Sequence, residues 1–250
     1  MERDFNLGPN DFKVDVTLFY DDKPASKSLI IMPPTGGTNI VDRSYAKKFC
    51  RAGYEVYIIN GWMKDQETRS DLDIHQSFYS KAQRAINYVT DEIKTPFIGM
   101  MGTSVGALHA SVASATNPKL DAVFVIVGGT PIAEVIVTSD QKAMTDLKAT
   151  RKKRFGFKND QENIEAIGKV FHLEPMSQGE LFKQKALGMA IADNDSTVST
   201  LTQNKLREFW KPKTVIEISG GHFWGIVKMW LLHSHQILEF FEESAKSKKS

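Results

Sequence analysis

The chain has 250 residues, 41% of them apolar and 25% charged, with a formal net charge of +2. That length suits one large α/β domain or at most two small ones, and the apolar share is enough for a sizeable core. The small net charge argues neither for nor against a nucleic-acid partner, but the basic clusters Arg151-Lys152-Lys153-Arg154 and Lys246-Ser247-Lys248-Lys249 are short. They read as a solvated helix face and a frayed terminus, so no nucleic-acid partner is expected. A lone cysteine, Cys50, excludes an intramolecular disulfide; on the short amphipathic stretch 45–51 it reads as a buried, inert thiol. The first residues are acidic and polar with no apolar leader core, and no apolar window is long enough to cross a bilayer. A soluble cytoplasmic protein is expected, although a secreted chain that had lost its leader would look the same.

In chain order, residues 12–20 alternate as a strand with one wet face, and a turn follows at Asp21-Asp22-Lys23-Pro24. Residues 28–32 are a short unbroken apolar run, the pattern of a strand buried on both faces. A helix over 42–52 ends at Gly53, a strand covers 54–59, and a long amphipathic helix covers 74–93. A strand over 96–101 leads into a small-residue helix over 104–116, stopped by Asn117-Pro118. Another buried strand, 121–127, ends at Gly128-Gly129. Strand and helix alternate to this point, which predicts a mostly parallel sheet covered on both faces.

The rhythm breaks over 131–184, which has helical periodicity and much charge and reads as an insertion of two or three helices. It then resumes with a strand (185–192), a helix (197–210), a strand (213–218) and a final helix (223–243). No internal repeat or low-complexity segment is present. The whole chain therefore reads as one domain, 1–250, carrying an insertion at 131–184.

The pentapeptide Gly102-Thr103-Ser104-Val105-Gly106 joins the strand over 96–101 to its helix. This is the strand–turn–helix context in which G-x-S-x-G becomes a nucleophile elbow, with glycines where a side chain would clash and Ser104 Oγ exposed above the sheet. A serine hydroxyl is a poor nucleophile at neutral pH and needs a base, itself oriented by an acid. In an open α/β sheet such groups collect at the carboxyl ends of strands. His75, His109, His172, His233 and His235 fall within predicted helices, and His109, more than a turn past Ser104, should point away from it. His222 instead follows the strand over 213–218 in Ser219-Gly220-Gly221-His222 and is the candidate base. For the acid, Asp193 and Asp195 both stand at the end of the strand over 185–192; helix capping is the other use for either.

Trp62 and Trp224 are candidates to line an apolar acyl pocket, with core packing the alternative for each. Asp71, Asp73 and His75 fit a solvated helix start better than a metal site. Gly36-Gly37 and Gly128-Gly129 lack phosphate-loop spacing. No metal and no cofactor are expected.

Along nearly its whole length the chain resembles the α/β-hydrolase superfamily. Gly102-Thr103-Ser104-Val105-Gly106 is similar to its nucleophile elbow, Ala192-Asp193-Asn194-Asp195-Ser196-Thr197-Val198 to its acid loop, and Gly220-Gly221-His222-Phe223 to its histidine loop. The resemblance implies an α/β-hydrolase fold of about seven or eight strands, a helical cap at 131–184, and Asp195 rather than Asp193 as the acid. It also implies that the Val105 N–H forms half of an oxyanion hole. The second donor should come from Met32-Pro33-Pro34-Thr35-Gly36, where the family often has His-Gly. Proline has no N–H to give, so Thr35, then Gly36, are the candidates. The implied activity is that of a carboxylesterase-like serine hydrolase on a small-molecule acyl substrate. A thioesterase, acyltransferase or small amidase or peptidase would use the same groups. A non-catalytic binding protein of this fold is the reading from another class, and oligomeric state stays open.

Overall fold

The unbroken apolar runs form the centre of a single eight-stranded sheet in the computed structural model, which describes residues 1–62 and 70–249. The strands are β1 (Glu2–Leu7), β2 (Val14–Phe19), β3 (Lys27–Met32), β4 (Tyr54–Trp62), β5 (Phe97–Thr103), β6 (Ala122–Ile126), β7 (Ala186–Ala192) and β8 (Thr214–Ile218). They lie in the order β1-β2-β4-β3-β5-β6-β7-β8. β1 and β2 pair antiparallel, as do β2 and β4; every pairing from β4 to β8 is parallel. β1 is an addition to the expected set. It is an exposed edge strand, and only Phe5 and Leu7 pack on the core, so it lacks the alternation that marks a half-buried strand.

Helices cover both faces. On one, α2 (Ile74–Glu92), α3 (Val105–Thr116) and α7 (Thr200–Trp210) bury Ile86, Val89, Ala110 and Leu206 against Val16, Ile30, Met100 and Val125. On the other, α1 (Ile40–Arg51) and α8 (His222–Lys249) bury Tyr45, Phe49, Ile237 and Phe241 against Leu29, Ile58, Met101 and Phe124. The α3 face is almost entirely small residues, so the helix sits close on the sheet beneath Ser104.

α1 starts earlier than its periodicity suggests. Asn39 accepts from the Val41 and Asp42 amides at 2.8 and 3.3 Å, and the Asp42 carboxylate accepts from Asn39 N–H at 3.0 Å, a capping box. Cys50, expected to be buried, is only partly covered, because the end of α1 meets solvent; burial still pushes its thiol up.

The 131–184 stretch is helical throughout its regular parts: α4 (Ile132–Thr138), α5 (Lys142–Phe155), α6 (Asp160–Val170) and two 3-10 turns, Pro175–Ser177 and Leu181–Gln184. It has its own apolar cluster, in which Ile132, Val135, Ile136, Ile167 and Phe171 meet Tyr79, Leu108, Val112 and Val198. No helix among the described residues is long and apolar enough to cross a membrane.

α8 carries His222 at its first residue and buries Met229, Ile237, Phe240 and Phe241 along its length. Phe241 is fully buried, edge-on to Phe49 at 5.6 Å and Phe240 at 5.0 Å. Phe241→Ala is expected to lower the unfolding free energy by about 3–5 kcal/mol, read by urea denaturation.

Candidate functional site

Ser104 joins β5 to α3 with φ 56° and ψ −119°, a conformation costing a non-glycine residue about 1–3 kcal/mol. The surroundings hold it there. Its N–H donates to Ile126 O at 2.9 Å, and its own carbonyl accepts from Ala107 N–H at 2.8 Å. The flanking glycines are required by contact: a Cβ on Gly102 would lie 2.1 Å from Gly106 O, and one on Gly106 would lie 2.0 Å from Met32 O.

Two hydrogen bonds run from the serine. Ser104 Oγ is 2.8 Å from His222 Nε2, and His222 Nδ1 is 2.7 Å from Asp195 Oδ2. Since Nδ1 faces a carboxylate, the tautomer that satisfies both contacts carries its proton on Nδ1 and leaves Nε2 to accept from Ser104. The Asp195 side chain is fully buried, whereas the His222 ring is 15% exposed. Asp195 Oδ1 accepts from Thr197 and Val198 N–H at 2.9 and 3.0 Å, so the carboxylate is solvated by protein donors.

Of the two candidate aspartates, Asp195 meets the imidazole. Asp193 supports the backbone that precedes it: its Oδ1 accepts from Gly220 N–H at 2.8 Å. Asn194 N–H donates to Gly220 O at 3.2 Å, and Gly220 has φ 130°, which lets the chain turn straight from β8 into α8.

Val105 is the first residue of α3, where an amide has no acceptor within the helix. Thr35 lies in an exposed turn closed by Gly37 N–H donating to Pro34 O at 3.1 Å. The Met32 and Pro33 carbonyls press on Gly106, which brings the start of this loop against the elbow. Trp224 is 61% exposed beside Phe223, two residues into α8 from His222. Trp62 packs against Phe78 at 5.6 Å and His109 at 5.9 Å.

Sequence reasoning missed three supporting residues. Gln203 donates to Asp195 Oδ2 at 2.9 Å. Thr200 Oγ1 accepts from Asp195 N–H at 3.1 Å and donates to Ala192 O at 2.7 Å. Asp140, just after α4, accepts from Ser196 and Thr197 hydroxyls at 2.5 and 2.7 Å, and these bonds hold its carboxyl below the usual range. Only the Thr200 contact had a sequence signal, a hydroxyl at the mouth of the expected helix. Asp71 pairs with Arg154 at 2.5 Å, and no group of potential metal ligands occurs among the described residues.

No family model and no curated sequence matches the chain. Solved structures do. Est1E from Butyrivibrio proteoclasticus aligns with a TM-score of 0.70 at 14% identity, over 97% of this chain and 99% of that one. The α/β hydrolase GrgF from Penicillium sp. sh18 aligns with a TM-score of 0.66 at 14% identity, over 98% and 99%. Acetyl xylan esterase 1 from Thermoanaerobacterium sp. JW/SL YS485 aligns with a TM-score of 0.72 at 12% identity, over 96% and 82%. The chain has the α/β-hydrolase fold.

His109 does turn from Ser104, as expected, but into the interior. Its ring is wholly buried among Tyr79, Phe78 and Trp62, and neither nitrogen has a hydrogen-bond partner among the described residues. Burial lowers its pKa from 6.5 to about 3, and burial with the nearby Arg151 charge does the same for His75. Both rings stay neutral in the fold but gain a proton in the unfolded chain below about pH 6.5. The unfolded state then binds more protons, so stability is lost from pH 6.5 down to about pH 3. At pH 5 the loss is about 2 kcal/mol for each ring. His109→Leu is expected to flatten the fall in melting temperature between pH 7 and pH 4, followed by circular dichroism.

Proposed function

We propose that the protein is a serine hydrolase that cleaves a carboxylic ester through an acyl-enzyme on Ser104. The observation that carries this reading is the 2.8 Å contact between Ser104 Oγ, on its strained turn, and His222 Nε2, with His222 Nδ1 held 2.7 Å from a buried carboxylate. The fold shared with solved esterases supports the same class.

His222 takes the proton from Ser104 Oγ as that oxygen attacks the acyl carbonyl. Asp195 keeps the imidazole in the accepting tautomer and stabilises the imidazolium that forms. The Val105 and Thr35 N–H groups hold the oxyanion, and His222 then hands its proton to the departing alcohol. Water repeats the sequence on the acyl-enzyme and restores Ser104. Trp224, exposed two residues after His222, offers an apolar face to the substrate. Trp62 contributes from the aromatic cluster on the α2–α3 side. The 131–184 helices form the cap, and their contacts support this. Asp140 ties them to the acid loop, and Arg151, in α5, donates to the Ser70 and Asp71 carbonyls at 3.3 and 2.7 Å.

Wild-type protein is expected to be labelled by a fluorophosphonate and to hydrolyse p-nitrophenyl esters faster than acyl-CoA or aminoacyl substrates. Ser104→Ala should abolish labelling and lower kcat by about ten-thousandfold or more. Labelling that survives this change would overturn the assignment. Thr35→Pro deletes one N–H at a turn position that tolerates proline. It should cost about 3 kcal/mol of barrier, seen as a fall of about a hundredfold in kcat with the melting temperature retained.

A further inference from the structure

We propose that Gln203 is a positioning residue for the Asp195 carboxylate; this rests on the reading of Ser104, His222 and Asp195 as the catalytic set. Gln203 lies on the first turns of α7 and is completely buried, an unusual place for a primary amide unless each of its polar atoms is used. Each is used. Nε2 donates to Asp195 Oδ2 at 2.9 Å and to Val198 O at 2.7 Å, and Oε1 accepts from Ala192 N–H at 3.1 Å.

These three bonds fix which way the amide faces. Rotated by half a turn, Nε2 would oppose the Ala192 N–H, and Oε1 would oppose both the Val198 carbonyl and the Asp195 carboxylate. The strand end, the acid loop and α7 are thus joined through one side chain, and its remaining donor has a single direction, toward Oδ2. Oδ2 is the oxygen that meets His222 Nδ1.

The carboxylate has four contacts and no water-exposed surface: two backbone N–H groups on Oδ1, and His222 and Gln203 on Oδ2. The backbone pair alone fixes only one oxygen. Gln203 fixes the second, so rotation about the Cβ–Cγ bond is blocked and the in-plane approach to Nδ1 is kept. Asp140 is the other acid near His222, held by the Ser196 and Thr197 hydroxyls on the solvent side of the loop. Gln203 acts from within, through Asp195, and touches neither Ser104 nor the substrate.

The test compares full-length wild type with Gln203→Leu and Gln203→Glu, each counted by fluorophosphonate titration of active sites. Gln203→Leu is expected to lower kcat per active site by about ten- to a hundredfold with KM within about twofold. The acid limb of its kcat/KM profile should move to lower pH by about half a unit or more, because a carboxylate turned from Nδ1 holds the protonated imidazole less strongly. Gln203→Glu, which keeps the volume and an acceptor for Ala192 N–H, should move that limb the opposite way, to higher pH, when ionised, because it adds negative charge near the imidazole; it also carries the measurement if the leucine variant does not fold. A crystal structure of the foldable variant should show Asp195 Oδ2 rotated from His222 Nδ1. A purely structural role would reduce the number of active sites and leave the acid limb and kcat per site in place, and that result overturns the proposal. If wild type itself is not labelled, the esterase reading fails, and the Asp195 geometry in the variant structure decides the role of Gln203 alone: an unmoved carboxylate overturns it.

Discussion

The site depends on a place where backbone touches backbone. Gly106, in the first turn of α3, rests on the Met32 and Pro33 carbonyls at the end of β3, and Gly102 rests on Gly106. No side chain, not even a methyl group, fits between these segments. The contact forces the chain to reverse within the single residue Ser104, which explains the positive φ there. It also sets the loop after β3 beside the elbow, because Pro33 is only two residues from Thr35. One steric constraint therefore places both the proposed nucleophile and the proposed oxyanion donors.

The other half of the site is built from hydrogen bonds between two neighbouring strand ends. Asp193 N–H donates to Ile218 O at 3.0 Å, Asn194 N–H to Gly220 O, and Gly220 N–H to the Asp193 carboxylate. Asp195 and His222 thus leave adjacent strands as one braced unit, with Gln203 and Thr200 holding it from α7. β6 separates this unit from β5, and its Ile126 carbonyl receives the Ser104 N–H. The halves meet at the Ser104–His222 contact.

Features that rest on long apolar runs were legible in the sequence. The parallel strands β3, β5, β6 and β7 bury both faces and read as strands, and the elbow announced itself by two glycines around a serine between strand and helix. Features decided by a few polar contacts were not. The first turn of α1 depends on the Asn39–Asp42 box, which hydropathy does not register. α7 begins at Thr200 rather than near 197 because the Asp195 side chain takes the Thr197 and Val198 amides and holds the loop in turns. Gln203 looks like any polar helix residue until the fold buries it. Trp62 could be read toward a pocket or a core with equal right, and only the third dimension puts it against Phe78 and His109.

Connectivity has a consequence for the order of events during synthesis. Ser104 and His222 are separated by 118 positions along the chain, and Asp195 comes 27 before the histidine. His222 opens α8, whose burial against Phe49 and Phe124 comes from its far half, around residues 240 and 241. A ribosome-bound chain thus holds the Gly102–Gly106 turn long before the residue proposed as its base has been made. The proposed nucleophile therefore lacks its proposed base until α8 emerges and docks, so a growing chain, or one ended early, holds Ser104 without His222.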